Sequence, residues 1–244
     1  MNKVPEATLL FWIIKIAATT LGETGGDAVS MSMNLGYLVG TGIFAVLFAG
    51  AVIAQIKAPR FIPALYWVTI IATTTVGTTL ADYMDRSLGI GYSGGTSILV
   101  VLLLLSLLTW HRALGSISIS SIHSPKSEVF YWVTIMFSQT LGTALGDWTA
   151  DTAGLGYRGG MLIFCSLLAL IVAAYFWTKA SRTFLYWAAF ILTRPLGAVV
   201  GDFLDKPLGA GGLALSRYTA SLALLAFIAA CIYFFPQKPA ASQH

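Results

Sequence analysis

Four times along the chain an aromatic-Trp pair is followed ten residues later by a glycine, and five residues after that glycine by an aspartate. The pairs are Phe11-Trp12, Tyr66-Trp67, Tyr131-Trp132 and Tyr186-Trp187; the glycines are Gly22, Gly77, Gly142 and Gly197; the aspartates are Asp27, Asp82, Asp147 and Asp202. Successive copies are 55, 65 and 55 residues apart, and a further glycine stands fourteen residues beyond each first one, at Gly36, Gly91, Gly156 and Gly211. A unit repeated at fixed register implies a fold of like parts, with approximate fourfold or two-plus-two symmetry. The ten extra residues between the second and third copies fall in a Ser-rich stretch, 115–124, which reads as a linker joining two halves of two paired repeats.

The solvent for these parts is a bilayer. The 244 residues are 57% hydrophobic and only 10% charged, with mean hydropathy +0.80, far from the roughly 25% charge of a soluble domain. The length accommodates about eight spans of about 20 residues with short connections. The expected fold class is all-α, a polytopic membrane helix bundle of about eight transmembrane helices from four parallel two-helix repeats. The repeats span 7–58, 62–113, 127–179 and 182–235 within one membrane domain, 1–244. The first apolar run is too long for a signal peptide and reads as a retained span. Cys165 and Cys231 support neither a disulfide framework nor a thiolate metal site.

Each unit crosses twice, so all copies share one orientation. Lys3, Lys57, Arg60, Arg112, Lys126, Lys179, Arg182 and Lys238 lie at the termini and between repeats, against Arg86, Arg158, Lys206 and Arg217 within repeats. By the positive-inside rule both termini are expected in the cytoplasm, and the aromatic-Trp pairs are expected as anchors at that interface. The Gly-rich strings around Gly89 to Gly91 and Gly209 to Gly212 are expected to be tight turns.

Of ten acidic residues, only Glu6 and Glu128 lie outside the repeat motif; the others are Glu23, Asp27, Asp82, Asp85, Asp147, Asp151, Asp202 and Asp205. Within each copy the two acids are three or four residues apart and share a helix face. Gly22, Gly26, Gly77, Ala81, Gly142, Gly146, Gly197 and Gly201 recur at four-residue spacing beside them, a pattern that lets helices approach closely. An ionised side chain at mid-membrane costs roughly 2.5 to 3.5 kcal/mol on the insertion scale, so these carboxylates must face a wet cavity, a cation or one another. Clustered like charges bind protons or cations. Lys15, Arg194, Arg86 and Lys206 are the available counter-charges, with Arg194 the candidate internal counter-ion and Lys15 either a counter-ion or a snorkelling interfacial residue. The bland alternative for the second acids is solvated interfacial pairing, as in Asp85-Arg86 and Asp205-Lys206.

Carboxylates and Thr hydroxyls are hard oxygen donors, and no His lies in a motif, which favours Mn, Mg or Ca over zinc or copper. Met31, Met33 and Met84 stand beside the first two acidic clusters; they are either soft ligands that favour Mn(II) or flexible fillers of a helix interface. The repeated Trp, Thr-x-Gly-x-x-x-(Gly/Ala)-Asp pattern resembles a poorly characterised family of bacterial multi-span proteins called membrane-anchored proteins, which implies a multi-pass protein of the bacterial inner membrane. Glu23-Thr24-Gly25-Gly26-Asp27 is similar to the Glu-x-Gly-Asp signatures of cation exchangers and manganese exporters, with one extra residue and no Lys or Arg after the Asp. That resemblance implies that the acids hold the transported ion.

The first expectation is a secondary transporter exporting a divalent cation, Mn(II) first, in exchange for protons through a ring of aspartates. It carries no permanently bound cofactor and no nucleotide motif; its partners are membrane lipids, the metal and protons, not nucleic acid, and a homo-oligomer is left open. The alternatives are a non-transporting scaffold or assembly subunit with a structural cation, a cation channel, and an intramembrane enzyme. A fourfold acidic site lacks the asymmetry by which acid and base roles separate, and no enzyme is expected.

Overall fold

The structure, a computed structural model, describes residues 2–240, and among these it is helical with no sheet. Eight long helices follow one another: α1 (Leu9–Asp27), α2 (Gly36–Lys57), α3 (Pro63–Asp82), α4 (Gly91–Leu114), α5 (Pro125–Asp147), α6 (Gly156–Trp177), α7 (Arg182–Asp205) and α8 (Arg217–Phe234). The first helix of each repeat starts on a sequence signal. The Thr8, Ser124 and Ser181 side chains cap the first turns of α1, α5 and α7, and Pro63 opens α3 at a position where its missing N–H costs nothing.

Helices α1, α3, α5 and α7 form a closed inner ring in that order, each packed on the next and α7 back on α1. The second helix of each repeat does not form a hairpin on its own first helix: α2 lies on α3, α4 on α5, α6 on α7, and α8 closes the circle on α1. Paired repeats joined as two halves, as the linker had suggested, are therefore replaced by a cyclic pinwheel. The glycines explain the close inner contacts. Cβ atoms built on Gly22, Gly142 and Gly197 would fall 2.2, 2.0 and 2.1 Å from side-chain atoms of Thr74, Arg194 and Thr19, and one on Gly77 would be 3.0 Å from the Gln139 backbone. Each motif glycine thus receives one equivalent residue of the following inner helix.

Among the described residues six helices are long and apolar enough to cross a membrane: α2, α3, α4, α6, α7 and α8. The outer ones have mean hydropathy between 1.6 and 2.3 and leave most of their surface unburied, as lipid-facing helices do; α3 and α7 score 1.3 and 1.4 and are mostly buried. The other two inner helices, α1 and α5, hold equivalent places in the ring.

Both termini and the between-repeat segments gather at one end. Lys3 Nζ donates to the carbonyls of Gln55 and Ile56, both at 2.8 Å, and pairs with Glu128 at 2.7 Å; Asn2 donates to the Ile119 carbonyl at 2.8 Å. Pro5 and Pro239 form an antiparallel bridge there. The repeats are therefore parallel. The within-repeat turns lie at the other end, where Gly89, Gly91, Gly154 and Gly156 have φ between 62° and 73°, and Asn34 takes the left-handed conformation (φ 54°) where the second and third copies use glycine. These are turns, as their composition predicted.

The aromatic-Trp pairs are not interfacial anchors. Tyr66, Trp67, Tyr131, Trp132, Tyr186, Trp187 and Phe11 are buried in one cluster, with only Trp12 partly exposed. Ring centroids of Phe11 stand 6.5 Å from Tyr66 and 6.3 Å from Tyr186, and the Tyr66 and Tyr131 hydroxyls are hydrogen-bonded at 2.7 Å. Two of the four indole N–H groups find partners inside the protein: Trp67 donates to Gln237 and Trp187 to the Ile117 carbonyl. The same aromatic pair on four helices, each packed on the next, gathers these rings inside the bundle, where aromatic packing contributes about 0.5 to 1.5 kcal/mol per pair.

Candidate functional site

From the aromatic layer the inner helices present one residue each per turn toward their neighbours. The next layer is Lys15, Ile70, Ile135 and Phe190, then Thr19, Thr74, Gln139 and Arg194, then Glu23, Thr78, Thr143 and Ala198, and finally the four aligned aspartates. All of these side chains are buried. Buried hydroxyls return to their own helices, as when Thr73 donates to the Thr69 carbonyl and Thr75 to that of Ile71. They also cross between helices, with Thr74 donating to Ala18 and Thr78 to Gly22.

Arg194 is the internal counter-ion that its position suggested. Its Nη2 is 3.0 Å from Glu23, 2.6 Å from the Thr78 hydroxyl, and hydrogen-bonded also to Thr143. Four elements of the ring meet at this one nitrogen. Thr78 and Thr143 occupy the places that Glu23 holds in the first copy, and the alignment of the copies was the signal that could have found them.

The four aspartates are tied in pairs. Arg86 bridges Asp82 (2.9 Å) and Asp147 (3.2 Å), while Lys206 bridges Asp202 (3.0 Å) and Asp27 (2.6 Å). Arg86 and Lys206 are equivalent residues, four after the Asp of the second and fourth copies; the first and third carry Met31 and Asp151 there. Each cation serves the Asp of its own helix and that of the next. The charge pattern is twofold on a fourfold frame.

The second acids divide. Asp205 is buried and accepts from Arg217 Nε at 2.7 Å, a cation that also stands 3.7 Å from Asp27. Asp85 is buried against the α4 backbone at Gly95, apart from the aspartate bridges. Asp151 is exposed and does not join the cluster. The eight acids are therefore not one ligand ring. Six of them, Glu23, Asp27, Asp82, Asp147, Asp202 and Asp205, share four cations of the chain itself. By sequence Arg217 is a charge of a within-repeat loop; the closure of α8 onto α1 brings it to Asp27, and no local spacing encodes that closure.

One acidic set can hold a metal. Oxygen atoms of Asp27, Asp202 and Asp205, all buried, lie within 4.8 Å of one another. The Asp27 and Asp205 Oδ1 atoms have no hydrogen-bond partner among the described residues, so donors remain for a hard cation. The two nearby cations, Lys206 and Arg217, occupy the other oxygens. Met33 is exposed, which removes it from such a ligand set.

Local backbone sets the fourth copy apart. After Asp27, Asp82 and Asp147 the chain continues as a π-helical turn, Ala28–Ser32, Tyr83–Ser87 and Trp148–Thr152. Bonds from Met33 to Ala28, Leu88 to Tyr83 and Ala153 to Trp148, at 2.8 to 2.9 Å, close these wider rings. The fourth copy has Pro207 where Ser32, Ser87 and Thr152 end the π turns, and proline has no N–H to give. There α7 runs on to Asp205 with a 2.9 Å bond from Lys206 to Asp202, so Asp205 and Lys206 stay on the helix that carries Asp202.

No curated protein and no solved structure matches the chain. One family does, described as a repeat of unknown function, DUF347, and it matches four times, at residues 10–61, 65–115, 130–181 and 185–237. These matches cover most of the sequence and carry all four aligned aspartates with the inner and outer helices described above, so the chain belongs to the DUF347 repeat family.

Proposed function

We propose that the protein is a secondary transporter of a small divalent cation, Mn(II) first, in the bacterial inner membrane with both termini in the cytoplasm. The observation that carries the reading is the meeting of Asp27, Asp202 and Asp205 at the turn end of the inner ring. Three carboxylates against Lys206 and Arg217 leave one negative charge. A divalent ion that displaces the Lys206 ammonium from the cluster brings the sum to neutral, and protonation of the carboxylates on the other face of the membrane would release it. Oxygen donors and the absence of His or Cys at the cluster support a hard ion; the similarity of Glu23 to Asp27 with manganese exporter signatures supports Mn(II) and the export direction.

A second reading, a non-transporting scaffold, draws on a specific observation: each aligned aspartate already has a basic partner from the chain, and the inner ring is shut at its termini end by the aromatic layer. Flux in proteoliposomes separates the two. Saturable Mn(II) uptake that competes with Mg(II) or Ca(II), responds to a pH gradient, and is lost in Asp27→Asn/Asp202→Asn is expected for the transporter. No flux of any of these ions by inserted, folded protein would overturn it in favour of the scaffold.

A further inference from the structure

About three turns away from the aspartates the imbalance reverses. Lys15 is fully buried, its Nζ 4.2 Å from the centroid of the Phe190 ring and without a hydrogen-bond partner among the described residues. The other inner helices contribute Ile70, Ile135 and Phe190 at its level, and α8, packed outside α1, has no acidic residue. The nearest acid on its own helix is Glu23, eight residues or about 12 Å further on. That acid is already engaged by Arg194.

The next layer adds more unanswered donors. All three hydrogen bonds of Arg194 pass through Nη2, which leaves Nε and Nη1 buried and without partners; the amide nitrogen of the fully buried Gln139, a further donor, also has no partner among the described residues. Phe190, on which Lys15 rests, is one turn before Arg194 on α7, so the two basic residues belong to adjacent layers of the ring. Desolvated donors of this kind each cost free energy unless an acceptor meets them. Two basic groups with one carboxylate, and free N–H groups around them, call for a negative acceptor.

We propose that the middle of the inner ring binds a small monovalent anion of chloride size, held by Lys15, Gln139 and Arg194. The anion completes the charge balance of the buried layers and ties α1, α5 and α7 together. It is independent of the cation site, which lies at the far end of the same ring and uses other residues.

The test is thermal unfolding of the detergent-solubilised full chain while sodium chloride replaces sodium gluconate at constant ionic strength. Wild type is expected to gain about 5 °C, saturably, at a chloride concentration about 100-fold above Kd. Bromide should substitute and sulfate should not. Lys15→Met should lose the chloride response. Gln139→Glu puts a tethered carboxylate of equal size in the same layer, and should be chloride-insensitive with a melting temperature at or above that of chloride-saturated wild type. No chloride response in wild type, or an equal response in wild type and Gln139→Glu, would overturn the proposal, and the Glu variant decides the matter if Lys15→Met fails to fold.

Discussion

A Cβ added at Gly142 lands 2.0 Å from Cγ of Arg194, whereas one added at Gly42 on α2 meets nothing within 4 Å. Both glycines are helical and both sit in apolar segments, so composition gives them equal weight; only the ring contact distinguishes them. Gly142→Ala should therefore cost about 1 to 3 kcal/mol by overpacking, and more if Arg194 is pushed off Glu23. Gly42→Ala should be neutral or stabilising by up to about 1 kcal/mol, since alanine is the better helix former. Thermal unfolding of the two variants in the same detergent checks this, and equal effects would contradict the packing assigned to the motif glycines. Residues of this kind were readable from the repeat, because four-residue spacing of small side chains beside an Asp marks close helix approach. The identity of ionic partners was not. Arg194 could be named as a counter-ion, but which acid it meets depends on α7 closing on α1, 171 positions apart in sequence. Asp151 shows the converse: its i+4 spacing from Asp147 suggested a shared site, and the π turn beginning at Trp148 carries it to the surface.

At the scale of helices, hydropathy and burial run in opposite senses. The most apolar segments, α2 and α6, are outer helices with little buried surface, and the less apolar α3 and α7 are the ones the protein encloses. This follows from the solvent: lipid requires an apolar face only of what touches it, so Thr, Gln and charged residues collect where helices face each other. The existence of eight helices was legible from apolar runs and caps. The π turns were not, since an extra residue per turn leaves no mark on spacing, although Pro207 gives a reason for their loss in the fourth copy. The element arrangement also sets up a test of orientation. Ser87 lies exposed in the turn after α3, and Lys179 lies exposed between α6 and α7 at the termini end. With Cys165 and Cys231 replaced by Ala, a cysteine at position 87 should react with an impermeant maleimide on intact spheroplasts. One at position 179 should react only after permeabilisation. The reverse pattern would place both termini outside and remove the export direction from the proposed function.

For the molecule as a whole, the decisive contact is that of the last helix with the first. Since α8 covers α1 just as α2 covers α3, no repeat is terminal in space, and the ring has no seam of its own. The ends of the chain meet at the Pro5–Pro239 bridge, with Glu6 N–H to Lys238 carbonyl at 2.9 Å and Ala240 N–H to Val4 carbonyl at 2.8 Å. What the repeat foretold was the number and direction of the units; it did not foretell that each unit would hand its second helix to its neighbour, because a hairpin and a handover have the same sequence period. The two arrangements differ in how they respond to cutting. Hairpin units in two halves would tolerate separation at the linker, each half keeping its own contacts. In the pinwheel, α4 lies on α5 and α8 on α1, so each half lacks a partner that only the other supplies. A circular permutant that joins position 240 to position 2 through a short Gly-Ser linker and opens within the 115–124 segment preserves every helix contact. It should insert, purify as a monodisperse species and melt within a few degrees of the original chain, at the cost of local bonds such as those from Asn2 to Ile119 and Trp187 to Ile117. Residues 1–120 and 121–244 expressed separately should each be degraded or aggregate, and should recover a stable complex when co-expressed. Stable, monodisperse single halves would show that the units close on themselves, and the cyclic handover would have to be abandoned.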